Sequence, residues 1–338
     1  MINQGFKTEL SGLKVAIATH VYATGPGQEL EDYLKEKTAG LIFIGHPFNF
    51  AKEKGSFYKI YRNGVCVKQK RSALFGVPEL VTYFKDIFFT LFWAGTSKGK
   101  LDLFVGVDPL NALAGIILKK FGKAKKVVFY MIDYAPVRFK NVILNAVYHK
   151  IDSFCVNNSD MVWNLSGRMA QEREGKGVTR TSHQLVVPIG VNFNRISRLP
   201  VDKINRRQLV YMGHVKRNQG LELIIESLKD ILKQVPDAKL MIVGGGDLEA
   251  VLKKTVQKEG LSRSVEFKGF VPDHKEVETL LSACAIGLAL YEPDPQSLTW
   301  YTDPSKPKQY MACGLPVIIT DVPWIAQEVK AKGLGLVS

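Results

Sequence analysis

The segment Tyr301–Asp321, YTDPSKPKQYMACGLPVIITD, has the grammar of a loop, a short helix and a buried strand. Ser305 is placed to cap the helix by accepting a free backbone N–H, Pro307 fits a first turn because it has no N–H to lose, and Gly314 stands where the helix ends. Pro316 then opens the apolar strand Val317–Ile319. A helix N-terminus carries partial positive charge and unpaired donors, and Lys306 and Lys308 add two full charges there. Taken singly, each lysine is an ordinary solvated side chain. Cations in a first turn oppose the helix dipole, however, and cap, prolines, lysines and glycine together describe a helix start facing a bound phosphate.

Upstream of this segment runs an α/β series. Strand Gln208–Tyr211 leads through the turn Gly213–Gly220 into an amphipathic helix, Leu221–Val235, with Leu221, Ile224, Ile225, Leu228, Ile231 and Leu232 on one face. Strand Lys239–Val243 and Gly244-Gly245-Gly246, helix Leu248–Glu259, strand Val265–Lys268, turn Gly269–Pro272, helix Glu276–Ser282 and strand Ile286–Leu290 follow. The glycine turns fall at one edge of a parallel sheet, where glycine permits close backbone approach and His214, Lys216, Arg217, Lys306 and Lys308 supply charge for phosphates.

The first half repeats the pattern. Strand Leu13–Ala18, the turn Thr19–Gly27 and helix Gln28–Lys37 begin a parallel layer, and Gly25 and Gly27 would let backbone approach a ligand. Leu30 occupies the place of a third glycine, so this is no dinucleotide fingerprint. Further strands are predicted at Leu41–Ile44, Phe57–Tyr61, Asp102–Val105, Val127–Met131, Ser153–Val156, Met161–Asn164 and Leu185–Val187, and helices at Leu110–Lys120 and Val142–Lys150. Such alternation places ligands beyond the carboxyl ends of the strands, at Asp108 and Asp133. Asp133 follows its strand directly and either faces that crevice or pairs locally with Arg138. His20 and His46, just past strands, read as ordinary polar loop residues.

The expected fold class is therefore α/β, with two Rossmann-like domains facing each other across a cleft. They span residues 1–194 and 208–338, joined by the basic, aperiodic hinge 195–207.

At 338 residues, 46% hydrophobic and 23% charged, the chain suits two soluble domains. Its 46 Lys and Arg against 32 Asp and Glu, a formal net charge of +14, imply an acidic partner: a nucleotide, a phospholipid surface or nucleic acid. Nucleic acid is set aside because the basic residues sit in α/β turns and no recognition motif is present. No Walker-type loop supports an NTPase. The start MINQGFKTELSGLK lacks the apolar core of a signal peptide, and no apolar run is long enough to span a membrane. Four scattered cysteines, Cys66, Cys155, Cys284 and Cys313, have no metal or redox spacing and read as reduced thiols of a cytoplasmic protein. Residues 52–71 hold seven Lys and Arg against Glu53 alone, and Val81–Trp93 (VTYFKDIFFTLFW) is apolar nearly all round. That helix is expected to be buried; the alternative is an interfacial helix on a membrane surface, engaging residues 52–93.

The strings LVYMGHVKRNQGLELIIESL, AKLMIVGGGDLE, VEFKGFVP and PSKPKQYMACGLPVIITD, in this order, resemble the donor-binding domain of retaining GT-B glycosyltransferases of the large family-four type, which includes bacterial mannosyl- and glucosyltransferases. The first half resembles their acceptor domain more faintly, through the glycine turn, FYMIDYAP and VPIGVN. The resemblance implies a GT-B fold and transfer from a UDP- or GDP-linked sugar, the co-substrate in place of any cofactor, to a glycan or lipid-linked acceptor. It also implies retention of configuration, no metal, and a cytoplasmic protein peripheral to the inner membrane face.

Residue by residue, Lys306 matches the lysine on the donor diphosphate, and Gln309 stands where a glutamate of the Glu-x7-Glu motif holds the ribose. Gly269, Phe270 and Val271 match the backbone that reads the base, and Gly213 the phosphate turn, with Gly245 and Ser305 beside it. The motif is degenerate. Its first glutamate is replaced by Tyr301, with Asp303 the nearest carboxylate; the usual arginine and lysine of the turn are His214 and Gln219, leaving Lys216 or Arg217 to substitute. Ile132 stands in place of a catalytic histidine beside the aspartate matched by Asp133. Asp133 and Lys306 are the expected catalytic residues, and Gly25 and Gly27 the acceptor loop. Such proteins normally continue past the position of Ser338 with further helices, so a truncated or incomplete form is expected. A nucleotide-sugar epimerase and a non-catalytic nucleotide-sugar-binding subunit are the alternatives on the same fold.

Overall fold

The computed structural model describes residues 10–21, 25–49, 51, 53–74, 76–176, 178 and 183–338. The chain divides into two compact units, residues 1–188 and 189–338.

In the first unit the elements run β1 (Lys14–Val21), α1 (Pro26–Leu34), β2 (Gly40–Pro47), β3 (Phe57–Arg62), β4 (Val65–Arg71), α2 (Glu79–Gly95), β5 (Leu101–Val107), α3 (Pro109–Lys120), β6 (Ala124–Met131), α4 (Val142–Asn158), β7 (Met161–Asn164), α5 (Gly167–Gly175) and β8 (Gln184–Val186). They build one sheet in the order β4-β3-β2-β1-β5-β6-β7-β8. From β2 to β8 all neighbours are parallel, and Val15–Ala18, Leu41, Phe43, Ile44, Phe104 and Val127 are buried, as strands covered on both faces require.

Three features depart from the sequence reading. Strands β3 and β4 add an antiparallel hairpin closed by Asn63-Gly64, both at positive φ, the conformation a two-residue hairpin turn demands. Every residue of β4 is half or fully exposed, Cys66 included, so this thiol is not buried like the other three. Ser153–Val156 is not a strand but the last turns of α4. Asn141 starts that helix by accepting from the N–H groups of Ile143 and Leu144, and Asp152, Cys155 and Val156 form its buried face. Arg173 of α5 clamps Asp152 through Nε and Nη2 at 2.8 and 2.6 Å, a buried bidentate pair that ties α5 to α4.

The largest departure is α2, whose amphipathicity is inverted. Its inward face carries Thr82, Lys85, Asp86 and Thr90, whereas Phe84, Phe88 and Phe92 stand outward, 76%, 60% and 51% exposed. The helix is not the buried one expected. Lys52, at the start of the basic run, lies outside the described residues.

The second unit comprises two 3-10 turns, Phe193–Arg195 and Val201–Lys203, then β9 (Asn205–Met212), α6 (Leu221–Gln234), β10 (Lys239–Val243), α7 (Glu249–Lys258), β11 (Val265–Gly269), α8 (His274–Ser282), β12 (Cys284–Ala289), α9 (Leu298–Tyr301), α10 (Ser305–Ala312), β13 (Val317–Ile319), α11 (Ile325–Ala331) and β14 (Gly335–Val337). The sheet order is β11-β10-β9-β12-β13-β14, parallel throughout. Two apolar clusters cover its faces. One gathers Leu221, Ile224, Ile225 and Leu228 of α6 with Leu240, Ile242 and Leu252; the other gathers Val210, Tyr310, Val317, Ile319 and Val329. Each such side chain contributes roughly 1.5–3 kcal/mol on burial. Much of the stretch expected as a hinge is already attached to this unit. Arg195 ion-pairs with buried Glu278, Arg198 Nε donates to the carbonyl of Ala312 at 3.0 Å, and β9 begins at Asn205.

Candidate functional site

At the carboxyl edge of the second sheet three loops are stitched together by backbone bonds. Gly213 N–H donates to Val243 O at 2.9 Å, Gly244 N–H to Gly269 O at 2.8 Å, and Val215 N–H to Gly245 O at 3.0 Å. The glycine requirement is steric. Gly244 has φ +138°, and a Cβ there would lie 1.9 Å from the Gly213 oxygen. Gly213, φ +139°, faces Lys306, whose Cε lies 3.1 Å from where its Cβ would be. The sequence reading placed Gly213, Gly245, Gly269 and Lys306 at one edge, and the structure brings them together there.

Lys306, in the first turn of α10, is only 7% exposed. Its Nζ donates to Gln219 Oε1 at 3.0 Å and lies 4.0 Å from the Tyr211 ring centroid and 5.0 Å from that of Tyr291. Burial, with Lys216 adding repulsion, lowers its pKa to about 7. The aromatic faces and the Gln219 oxygen are neutral partners, so none of them brings a negative charge to offset the desolvation of the ammonium form. Tyr211 O–H donates to the His214 carbonyl at 2.7 Å, and Tyr310 O–H accepts from Met212 N–H at 2.6 Å, fixing the turn that carries Lys216. Tyr211, Tyr291, Gln219 and Tyr310 were not singled out as contacts from sequence. The alternation that marks Tyr211 as a strand residue does not say which side chain will cross the sheet edge to meet it.

Other expected residues fare differently. His214, Lys216, Arg217 and Phe270 are exposed and Val271 half-buried, at the same edge. Ser305 is exposed and makes no capping bond; Pro304 holds the cap position, because Ser305 is already the first helical residue. Asp303 is buried, and its Oδ2 accepts from Ile189 N–H at 3.1 Å and from Lys308, whose Nζ also donates to Ile189 O at 2.7 Å. Both charges anchor residue 189, so neither Asp303 nor Lys308 is presented to a phosphate. Gln309 Nε2 donates to Glu278 Oε1 at 3.0 Å, and Glu278 is itself held by Arg195. That contact turns the Gln309 Oε1 away from Glu278.

In the first unit Gly25 holds the cap position of α1 and Gly27 lies in its first turn. Gly27 is buried, and a Cβ on it would sit 2.9 Å from the Thr19 side chain, so the glycine serves packing of α1 on β1. The Gly25 N–H is taken by Gln28 Oε1 at 3.1 Å. Residues 22–24 of this turn lie outside the described ones. Asp133 does sit just beyond β6; burial raises its pKa, Arg138 counteracts, and Asp108 adds to the rise.

His20 and His46 belong to a polar chain at the same edge. Asp108 Oδ2 lies 2.5 Å from His20 Nδ1, and His20 Nε2 lies 3.4 Å from Asp86 Oδ2. Asp86 Oδ1 in turn meets His46 Nδ1 at 3.2 Å, Lys85 Nζ at 3.0 Å and Ser56 Oγ at 3.0 Å. Burial would lower the pKa of His20, but the Asp108 and Asp86 carboxylates outweigh it and raise it to about 10. Burial lowers that of His46. Among the described residues no three His, Cys, Asp or Glu side chains are grouped to hold a metal ion. No helix among them is long and apolar enough to cross a membrane.

Residues 198–338 match the family model of the glycosyl transferases group 1. The chain is 25% identical over 147 residues to an uncharacterized glycosyltransferase of Methanocaldococcus jannaschii, covering 43% of this chain and 34% of that one. It is 25% identical over 182 residues to a GDP-mannose-dependent alpha-(1-6)-phosphatidylinositol dimannoside mannosyltransferase of Mycobacterium tuberculosis, covering 52% of this chain and 44% of that one. The match thus spans less than half the length of either curated relative. Among solved structures, Anabaena HepE in complex with UDP-glucose superposes with a TM-score of 0.65 at 14% identity, over 96% of this chain and 85% of that one. The fold of two parallel-stranded α/β sheets is that of GT-B glycosyltransferases of known structure, and residues 198–338 are similar to the group 1 glycosyltransferases.

Proposed function

We propose that the protein is a hexosyltransferase. It moves a sugar from a UDP- or GDP-linked donor, bound by the second unit, to a hydroxyl of a glycan or lipid-linked acceptor, bound by the first, with retention and without metal. The observation that carries this reading is Lys306: a buried amine whose contacts among the described residues are neutral, set beside a glycine turn in the matched domain. Breaking the sugar–phosphate bond develops negative charge on the departing diphosphate. A cation and the free N–H groups at the start of α10, fixed in place beforehand, stabilise that charge most in the transition state. Gly213, Gly245, Lys216, Arg217 and His214 would line the phosphates, and Gly269, Phe270 and Val271 the base. Gln309, oriented by Glu278, would accept a hydrogen bond from a ribose hydroxyl in place of the family's glutamate. Asp133 orients or assists on the acceptor side. The relative named for GDP-mannose makes a GDP-sugar the first donor to try and a UDP-sugar the second.

Thermal unfolding with added nucleotides tests the donor side. At a hundred times Kd a ligand adds about 2.7 kcal/mol of stability, so UDP or GDP is expected to raise Tm by several degrees and the monophosphates by much less. Equal shifts from UMP and UDP, and from GMP and GDP, would remove the diphosphate from the account. An epimerase would alter the donor with no acceptor present, and a binding subunit would release no nucleotide with any acceptor.

The outward Phe84, Phe88 and Phe92 of α2 favour peripheral docking on an anionic membrane as part of this function. Trp93 on the same helix packs at 5.1 Å on Tyr58, which Lys68 of the basic hairpin overlies, so cations flank the aromatic stripe. Cosedimentation with phosphatidylglycerol vesicles is expected, with little binding to phosphatidylcholine. Replacing Phe84 and Phe88 by Ser should weaken it about tenfold or more, as loss of two inserted rings implies; binding unchanged in that variant counts against docking through α2.

A further inference from the structure

The strand order of the first sheet reverses beside β1. From β1 the chain builds outward through β2, β3 and β4, then returns to place β5 on the other side and continues to β8. Ligands of open α/β sheets bind at such a switch point, beyond the carboxyl ends of the two strands. At those ends lie His20, the penultimate residue of β1, and Asp108, the residue after β5, and they are bonded to each other at 2.5 Å.

Asp108 is more than a helix cap. Capping of α3 needs only its Oδ1, which accepts from Asn111 N–H at 3.0 Å, on ordinary extended backbone. Yet Asp108 has φ 83° and ψ 164°, a conformation otherwise reserved for glycine. Its Oδ2 accepts from both His20 Nδ1–H and Asn111 Nδ2–H, the latter at 2.8 Å, while the side chain stays 22% exposed. Behind it half-buried His20 stacks on half-buried Phe48, its Nε2 faces Asp86 Oδ2 at 3.4 Å, and the buried Lys85, Ser56 and His46 hold Asp86 through Oδ1. The chain is thus a rigid mount with one open end, and that end is a carboxylate.

We propose that Asp108, positioned by His20 and Asn111, accepts a hydrogen bond from the acceptor hydroxyl whose oxygen replaces the diphosphate oxygen on the donor sugar carbon, the hydroxyl proton passing to the departing diphosphate, with Asp86 and His46 as its buried support. This rests on the transferase reading and adds the acceptor side of it. Orientation of a reacting hydroxyl is worth large factors in rate, and a carboxylate reads a hydroxyl donor without transferring charge.

The test uses the full chain with the UDP- or GDP-sugar that gives turnover, and octyl α-mannopyranoside as acceptor. Asp108→Asn is expected to lower kcat/KM for the mannoside by about 10- to 100-fold, leaving donor hydrolysis by water and the Kd for UDP or GDP unchanged. His20→Gln should act in the same sense, and the double variant should be no worse than the poorer single one, as members of one unit behave. A downfield His20 Nδ1–H resonance in the proton NMR spectrum, lost in Asp108→Asn, checks the bond itself. Unchanged kcat/KM for the mannoside, or a parallel fall in nucleotide affinity, overturns the assignment. Absence of any nucleotide binding or turnover by the wild-type protein would instead sink the transferase reading, and the assignment with it.

Discussion

Lys306→Met is expected to lower acceptor-dependent release of nucleoside diphosphate by about 100- to 1000-fold, the loss seen when one preorganised charge-stabilising donor is removed. The same substitution should raise thermal stability. A lysine that is 7% exposed, faces two tyrosine rings and pairs with no carboxylate among the described residues destabilises the folded state whenever it is charged. Methionine fills a similar volume without the charge. The pH dependence has a definite sign. Because the folded pKa, about 7, lies below the ordinary lysine value of 10.5, the unfolded chain binds more protons between those values, and wild-type stability gains from this group as pH rises through that window. The advantage of Lys306→Met should therefore be full at pH 6 and fade toward pH 10. Scanning calorimetry of both proteins at pH 6 and pH 9 checks it; a variant less stable than wild type at pH 6 would show that Lys306 is not an uncompensated charge.

Gly244→Ala should be the most damaging single methyl group in the second unit. Its Cβ would meet the Gly213 oxygen at 1.9 Å, on backbone at φ +138°, and that oxygen belongs to the turn proposed to hold the phosphates. Relief requires separating the two loops that Gly213 N–H and Gly244 N–H hold together. Strain and overpacking each cost about 1–3 kcal/mol, so a loss of roughly 2–6 kcal/mol is expected, with nucleotide affinity down at least tenfold. Chemical denaturation and nucleotide titration read the two effects separately. Gly260→Ala is the contrast: its added Cβ meets nothing within 4 Å, so only its positive φ of 70° resists, and nucleotide affinity should not change.

Much of the second unit was legible in the sequence. Short apolar runs ending in glycine turns are strands with a ligand edge, and the six apolar positions of Leu221–Val235 named the face of α6, four of which are fully buried. What was not legible shares one cause: contacts between residues far apart in the chain. Asp303 and Lys308 pair with each other and with the backbone of Ile189, more than a hundred positions away in the chain. The missing Cβ of Gly27 makes room for Thr19, which its sequence neighbours do not announce. His20, His46, Asp86 and Asp108 each sit among apolar neighbours with no shared spacing, and only the sheet order joins them. Helix α2 misled for a related reason. A segment apolar nearly all round does not declare which side is buried, and the buried side proved to be the one holding Lys85 and Asp86, because the polar chain behind His20 needs them.

The central claim is that a buried, largely uncharged Lys306 becomes a full cation by binding a diphosphate. Calorimetric titration of UDP and GDP at pH 8, in two buffers of different ionisation enthalpy, measures it directly. Binding that takes up close to one proton per nucleotide in the wild-type protein, and about none in Lys306→Met, is the expected result. Tight binding with no proton uptake in the wild type, or the same uptake in both proteins, would contradict it.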